Sequence, residues 1–394
     1  MNVCSMKSLL SDSFAGEWGS ESGEALTPVL RTANFNDDGS LDYGSPAYRC
    51  IPEKKVRAKR MRRGDIILEK SGGTPNRPVG IMAYYDSDDE ALCSNFNHVL
   101  RFDADSVNPF FMFHQLRWLR EKGAFSPYTR KTTGLQNLQM KAFVDLELKV
   151  PAKAKQDGAA ATIRAIDLRR NELKKLLEKL DELVKSRFVE MFGDPIENPF
   201  GWEVAPLGQL GDLKNGVNFK SVDSGTEIRC LGVGDFKDRY QICDMELISL
   251  VSLNGRPNEN QLLRDGDIVF VRSNGNKQLV GRCLAVFPGN EEVTFSGFCI
   301  RFRNESDRLL LDYLLGCLKS DPMRKAMTGR GANIQNLSQK ILADVVMPIP
   351  PLALQQEFAA FVQQVDKLKF ETQQAIDKLQ MLYDSLAQEY FGSE

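Results

Sequence analysis

Residues 134–193 read GLQNLQMKAFVDLELKVPAKAKQDGAAATIRAIDLRRNELKKLLEKLDELVKSRFVEMFG, and residues 333–392 read NIQNLSQKILADVVMPIPPLALQQEFAAFVQQVDKLKFETQQAIDKLQMLYDSLAQEYFG. Laid over each other at a constant offset of 199, Gln136-Asn137-Leu138 meets Gln335-Asn336-Leu337, Pro151 meets Pro350 and Gln156 meets Gln355. Lys179-Leu180 then meets Lys378-Leu379, Leu183 meets Leu382, Glu190 meets Glu389, and Phe192-Gly193 meets Phe391-Gly392. The register needs no gap. A repeat this long is not a solenoid unit; it is a duplicated half-molecule.

Upstream the repeat continues with a small gap. Arg62-Arg63-Gly64-Asp65-Ile66-Ile67 resembles Arg264-Asp265-Gly266-Asp267-Ile268-Val269, each an apolar run entered through a Gly-Asp turn. Both read as strands. Each half has the same order: short strands and turns, a helical segment (110–122, then 309–327), and a short apolar strand ending at proline (142–150, then 341–346). A long helix follows in each, about Gln156–Phe192 and Gln355–Phe391. Their apolar positions recur three and four apart, so each helix requires a partner. The expected pairing residues are Leu173, Leu177, Leu180 and Val184 on the first helix. On the second they are Phe361, Val365, Leu368, Ile376, Leu379 and Leu382. Leu176, Leu183 and Phe188 belong to the same stripe on the first helix, and Phe358, Leu386 and Tyr390 to that on the second. Gly193 and Gly392 fit left-handed caps. Helices of this length span roughly 55 Å at 1.5 Å per residue.

Composition is that of a folded chain: 42% hydrophobic, 26% charged, net charge −2. No apolar run is long enough to span a membrane, and the N-terminus is not a signal peptide; a cytoplasmic location is expected. Eight Cys lie singly and only two His are present, so a structural zinc site has too few clustered ligands. Catalytic constellations are missing as well. There is no phosphate-binding G-x-x-x-x-G-K-[ST] loop. Asn108-Pro109-Phe110 and Asn198-Pro199-Phe200 lack the second proline of an amino-methyltransferase site and read as turn chemistry. Asp145, Glu147 and Lys149 share one face of a half-exposed strand, which accounts for them without a nuclease centre.

The near-neutral net charge conceals a basic run: Lys54, Lys55, Arg57, Lys59, Arg60, Arg62 and Arg63 fall within ten residues with no acid among them. Phosphate contacts come from such clusters, and base contacts from Arg, Asn and Gln on loops. In the first half the candidates are Lys54, Lys55, Arg57, Lys59, Arg60, Arg62, Lys70, Arg77, Arg130, Lys131, Gln136 and Asn137. In the second they are Arg272, Asn274, Lys277, Arg282, Arg330, Asn333, Gln335 and Asn336. Ser71-Gly72-Gly73 and Ser273-Asn274-Gly275 follow the two Gly-Asp strands at matching places, as twin loops suited to a groove. Two competing readings stay open: the basic run as a solvated face, and the Gln-Asn-Leu repeats as strand caps.

The duplicated order, the strand–proline–helix junction and the Phe-Gly helix ends resemble the specificity subunits of type I restriction–modification systems. Pro350-Pro351-Leu352-Ala353-Leu354-Gln355-Gln356-Glu357-Phe358 is similar to that family's junction, and Gly201-Trp202-Glu203-Val204 to its domain opening. Thr328-Gly329-Arg330-Gly331-Ala332-Asn333 resembles its loop before the last strand. The first half departs: it lacks the Gly-Trp opening, and after Pro151 it carries Ala152-Lys153 and then small residues from Gly158 to Ala161, which let two helices approach closely. The resemblance implies a mixed α+β fold. Two target recognition domains (1–155 and 198–352) would be related by a pseudo-two-fold axis and separated by two long antiparallel coiled-coil helices (156–197 and 353–394). It implies a non-catalytic chain that reads a bipartite site on double-stranded DNA. The implied partners are two methyltransferase subunits using S-adenosylmethionine, with restriction subunits using ATP and Mg²⁺. The alternatives are a coiled-coil scaffold that never meets DNA, and an enzyme with its own nuclease or methyltransferase activity.

Overall fold

The structure, a computed structural model, describes residues 2–23, 25–74, 76–132, 135–220, 223–236, 239–328 and 336–392. Gly64 and Gly266 adopt φ of +98° and +84°, a left-handed region that glycine enters without steric cost. Each turn delivers the chain into a strand, Ile66–Glu69 and Asp267–Val271, buried along its whole length. Such strands are apolar without alternation because both faces are covered.

The chain forms two compact units: Met1–Leu173 with Gln374–Glu394, and Lys174–Gln373. In the first, Ile66–Glu69 is an inner strand of a four-stranded antiparallel sheet ordered Leu10–Ala15, Asn97–Phe102, Ile66–Glu69, Met82–Tyr84. Beside it in sequence order, Ala47–Cys50, Leu26–Leu30 and Leu92–Cys93 make a second sheet, the last strand parallel. The second unit repeats the plan. Asp267–Val271 is central in the sheet Gly211–Asn215, Cys299–Asn304, Asp267–Val271, Cys283–Val286, Gln241–Ile242. Leu250–Leu253, Thr226–Leu231 and Val293–Phe295 form the second sheet, again with one parallel pair.

Buried polar contacts repeat with the same geometry. Arg101 donates twice to Asp65, at 2.8 and 2.7 Å, and Asp65 also accepts the Arg62 N–H at 2.8 Å. Arg303 does the same to Asp267, at 2.8 and 2.7 Å, with the Arg264 N–H at 2.7 Å. The repeated glutamines have a shared task. Gln156 accepts the Asn108 N–H (2.9 Å) and donates to Pro151 O (2.8 Å). Gln355 accepts the Leu310 N–H (2.8 Å) and donates to Pro350 O (2.8 Å). Each ties the first turn of a long helix to the start of a helical segment in its own unit.

The long helices run Lys153–Phe192 and Leu352–Phe391, slightly earlier at their starts than the periodicity predicts. Within each unit the helix portions are antiparallel. In the first unit Ala159, Ala160 and Ile163 share a core with Ala387 and Phe391, while Asp167 and Tyr383 both approach His114, at 3.5 and 3.0 Å. In the second, Asp181 pairs with Lys369 at 2.6 Å and Arg187 with Glu357 at 2.8 Å. Ala159 and Ala160 are buried there.

Several expectations are corrected. Leu368 and Leu382 are 50% and 47% exposed, and Leu176 and Leu183 are exposed too. Of the expected stripe on the second helix Phe358, Val365 and Ile376 are buried, joined by Val362, Thr372 and Ala387, because the apolar row is wider than the face that the packing covers. The strand expected over 142–150 is the short helix Met140–Phe143 followed by Glu147–Val150. Its counterpart over 341–346 is Gln339–Ala343, capped by Ser338, then Val346–Ile349. The segment 309–327 is two helices, Leu311–Lys319 and Asp321–Thr328, separated by an extended Ser320. Gly193 takes the left-handed cap, with φ of +68°. Gly392 instead closes its helix through an N–H bond to Gln388 O at 3.0 Å.

Candidate nucleic-acid interface

The first unit gathers candidates that lie sixty residues apart in sequence. Ser71–Gly73, Leu135–Leu138 and Thr129–Thr132 form one small antiparallel sheet. Arg130 faces Asn137 across this ladder and Lys131 faces Gln136, while Asn137 faces Ser71. Arg130 and Lys131 are exposed, Lys70 and Asn137 half-buried. Partial burial holds the Lys70 ammonium pKa below its ordinary value. Gln136 is only 8% exposed, so it is built into the ladder, in keeping with the reading that it holds the loop. Thr74 bridges Arg77 just beyond, and Arg77 forms an ion pair with the buried Glu69 at 3.1 Å.

The same joint recurs in the second unit. Ser273 bridges Asn336 as Asn137 bridges Ser71. Leu138 N–H donates to Lys70 O at 2.7 Å, and Leu337 N–H donates to Arg272 O at 2.7 Å. Lys70 and Ser71 both donate their N–H to Phe96 O, at 3.0 and 3.2 Å. Arg272 and Ser273 both donate to Phe298 O, at 2.8 and 3.3 Å. The repeated Gln-Asn-Leu and Ser-Gly segments are therefore two sides of one structural joint, and Ser71–Gly73, expected as a loop, is a strand because it pairs with Leu135–Leu138. Asn274 accepts the Asn276 N–H at 2.7 Å and shapes the loop that carries the exposed Lys277. Val271 N–H donates to Arg282 O at 2.9 Å, which returns Arg282 beside Arg272. Arg330, Asn333 and Gln335 lie outside the described residues.

The basic run behaves differently. Its acids come from distant positions: Lys55 and Lys59 pair with Glu17 at 3.2 and 3.0 Å, and Arg60 with Glu90 at 2.9 Å. Arg63 engages Asp86 and, at 2.9 Å, Asp88, while Arg57 pairs with Glu53 on the same short helix, Glu53–Lys59. Lys54 and Arg62 are exposed and enter no ion pair among the described residues. The run is thus largely charge-balanced inside its own unit, and it lies apart from the small sheet in the pairing pattern.

The other sequence motifs resolve into structural chemistry. Asn108 caps Pro109–Glu121 by accepting the N–H groups of Phe110 and Phe111. Asn198, at φ of +45°, bonds Trp202 through both ends of its amide. Lys149 donates to Gly392 O at 3.0 Å. All eight cysteines are free thiols, no cluster of three or more metal-ligand side chains occurs among the described residues, and among them no helix is long and apolar enough to cross a membrane. Sequence reasoning passed over Phe96 and Phe298. The signal available was a second match at the offset of the Gly-Asp strands, Ser94-x-Phe96 against Ser296-x-Phe298.

Residues 199–380 match the Type I restriction modification DNA specificity domain. The StySPI specificity subunit of a type I restriction enzyme from Salmonella potsdam is 22% identical over 392 residues, covering 93% of this chain and 82% of that protein. The crystal structure of the type I restriction–modification S subunit from M. genitalium aligns over 100% of this chain and 96% of its own, with a TM-score of 0.54 and 16% identity. A chain solved in a study of complex assembly and conformational transition of the type I R-M system aligns over 99% and 97%, with a TM-score of 0.57 and 18% identity. These structural likenesses speak for the fold. In sequence, residues 199–380 carry the DNA specificity domain of type I restriction–modification systems, and nearly the whole chain is similar to a specificity subunit of such a system.

Proposed function

We propose that this chain recognises DNA sequence within a type I restriction–modification complex, each unit reading one half of a bipartite site on double-stranded DNA. The observation that carries this is the repeated joint: Ser71 against Asn137 in one unit, Ser273 against Asn336 in the other, each flanked by a cation. Loops of Ser, Asn, Lys and Arg held on a rigid sheet have the donors that phosphates and base edges accept. Lys70, Arg130, Lys131 and Asn137 would act in the first half-site, and Arg272, Asn274, Lys277, Arg282 and Asn336 in the second. Arg330, Asn333 and Gln335 belong to the same proposal by their place in the repeat. The recognition domains take residues 1–155 and 198–352, with the helical segments 156–197 and 353–394 docking two methyltransferase subunits.

The chemistry resides in those partners. S-adenosylmethionine serves the methyltransferase, which transfers its methyl group to adenine, and ATP with Mg²⁺ serves a restriction subunit, all in the cytoplasm. The chain itself is non-catalytic. The two loops differ (Ser-Gly-Gly against Ser-Asn-Gly), so the half-sites differ as well. Selection from random duplex DNA, using the chain co-purified with its methyltransferase, tests the reading. Two short unlike motifs at fixed spacing are expected. An intact complex that selects nothing at low salt would return the chain to the scaffold reading.

A further inference from the structure

Ser94 to Asn97 and Ser296 to Cys299 are equivalent four-residue turns, each closed by the last N–H on the first carbonyl, at 2.9 and 2.8 Å. Their end residues are buried. The third residue of each is a phenylalanine, and these two rings are 56% and 62% exposed, at Phe96 and Phe298. Turn positions of this kind ordinarily hold Gly, Asn, Asp or Ser, for conformational reasons. The second turn residues, Asn95 and Gly297, obey that rule; the phenylalanines break it twice.

A single exposed apolar side chain requires no explanation. Two at the same topological position, in halves that otherwise differ, do. Neither ring is free to fold inward by moving its backbone. Phe96 O is held by the N–H groups of Lys70 and Ser71, and Phe298 O by those of Arg272 and Ser273. The carbonyl that fixes the aromatic residue is thus the one that fixes the start of the candidate DNA loop. Each half therefore presents an aromatic ring, a cation (Lys70 or Arg272), a Ser hydroxyl and an Asn amide (Asn137 or Asn336) on one rigid joint. Aromatic and apolar rings beside cations are what a base step accepts: the ring enters between bases or stacks on one, while the cation holds the adjoining phosphate.

We infer that Phe96 and Phe298 are paired stacking wedges, each inserting its ring against a base step of its own half-site and setting the register of the loop that follows. This rests on the DNA-reading function proposed above. It assigns a role to two side chains that carry no hydrogen-bonding group, and so a form of readout through base-step deformability rather than base edges.

The test uses the chain assembled with its methyltransferase and the duplex recovered by selection, with 2-aminopurine placed at successive positions of each half-site. Binding should brighten the probe at one step per half-site, as unstacking does. Phe96→Ala should abolish the signal in one half-site only and lower affinity about tenfold, equal to about 1.4 kcal/mol. Phe298→Ala should do so in the other half-site, and Phe96→Tyr and Phe298→Tyr, which keep the ring, should restore both. Affinity for random duplex should stay within about twofold, since phosphate contacts dominate there. Alanine variants that bind and brighten like the unsubstituted complex would overturn the inference while leaving the DNA-reading function intact. So would variants that lose the methyltransferase but not the DNA signal, which would make the rings a protein contact. If the unsubstituted complex selects no duplex, the DNA-reading function falls and the wedges fall with it.

Discussion

Replacing Arg303 by alanine leaves the Asp267 carboxylate, itself buried, with a single remaining donor, the Arg264 N–H at 2.7 Å. The substitution removes two charge-assisted bonds to Asp267, at 2.8 and 2.7 Å, and a third to Leu262 O at 3.1 Å. Removing one partner of a buried ion pair costs about 3–5 kcal/mol, far above the ~0–1 kcal/mol of an exposed pair. The surviving N–H bond places the expected loss near the lower bound, about 3 kcal/mol. For a unit of this size that lowers the melting temperature by roughly 6–12 °C, at about 2–4 °C per kcal/mol. Thermal melts with hydrogen exchange by mass spectrometry assign the loss to residues 174–373. Pairing the change with Asp267→Leu should recover most of it, because a buried pair exchanged for apolar groups is close to neutral. A loss under about 1 kcal/mol for Arg303→Ala, the value of a surface pair, would refute the view that this bridge organises the strand.

Four further outcomes follow. Burial pushes the His114 imidazole pKa down to about 3, with Arg117, Arg164 and Arg170 adding to the effect. The 3.5 Å approach of Asp167 is therefore not an ion pair; burial likewise raises the pKa of that carboxyl. The stability this neutral histidine contributes is present above pH ~6.5, the ordinary value, and is lost as pH falls toward 3. His114→Gln should flatten the fall in first-unit stability measured by urea titration between pH 7.5 and 5; an unchanged slope would count against it. Gly158 sits in a helix interior with nothing within 4 Å of an added methyl group, so Gly158→Ala should stabilise by about 0.5–1 kcal/mol, whereas Ala160→Leu, in the buried helix contact, should cost about 1–3 kcal/mol; equal effects would contradict the packing. Phe358→Ala should cost about 3–5 kcal/mol and Leu368→Ala under ~0.5 kcal/mol in the same denaturation assay, although the sequence puts both in one stripe; equal losses would contradict the packing. Arg272→Ala should weaken binding through one half-site only, read from duplexes carrying each half-site alone; an equal loss on random DNA would make it a phosphate contact.

The duplication, the two long helices and the Gly-Asp strands are legible in the chain alone, because these depend on local periodicity, turn chemistry and self-similarity. It also marked Gln156 and Gln355 as equivalent, although not the backbone groups they hold. What depends on distant partners is set by packing. The basic run contains no acid, yet Glu17, Asp86, Asp88 and Glu90 arrive from other elements and neutralise most of it. One wide apolar row runs along the second long helix, and only the packing buries Phe358 and Val365 while leaving Leu368 and Leu382 exposed. Gln136 and Asn137 are neighbours in sequence, but pairing with Ser71–Gly73 buries the first and leaves the second partly open. Phe96 and Phe298 look like core residues by composition; only the turns that carry them, pinned through their carbonyls, turn the rings outward. Burial and charge pairing are sums over contacts far apart in the chain, so one-dimensional order cannot fix them until the fold has brought those contacts together.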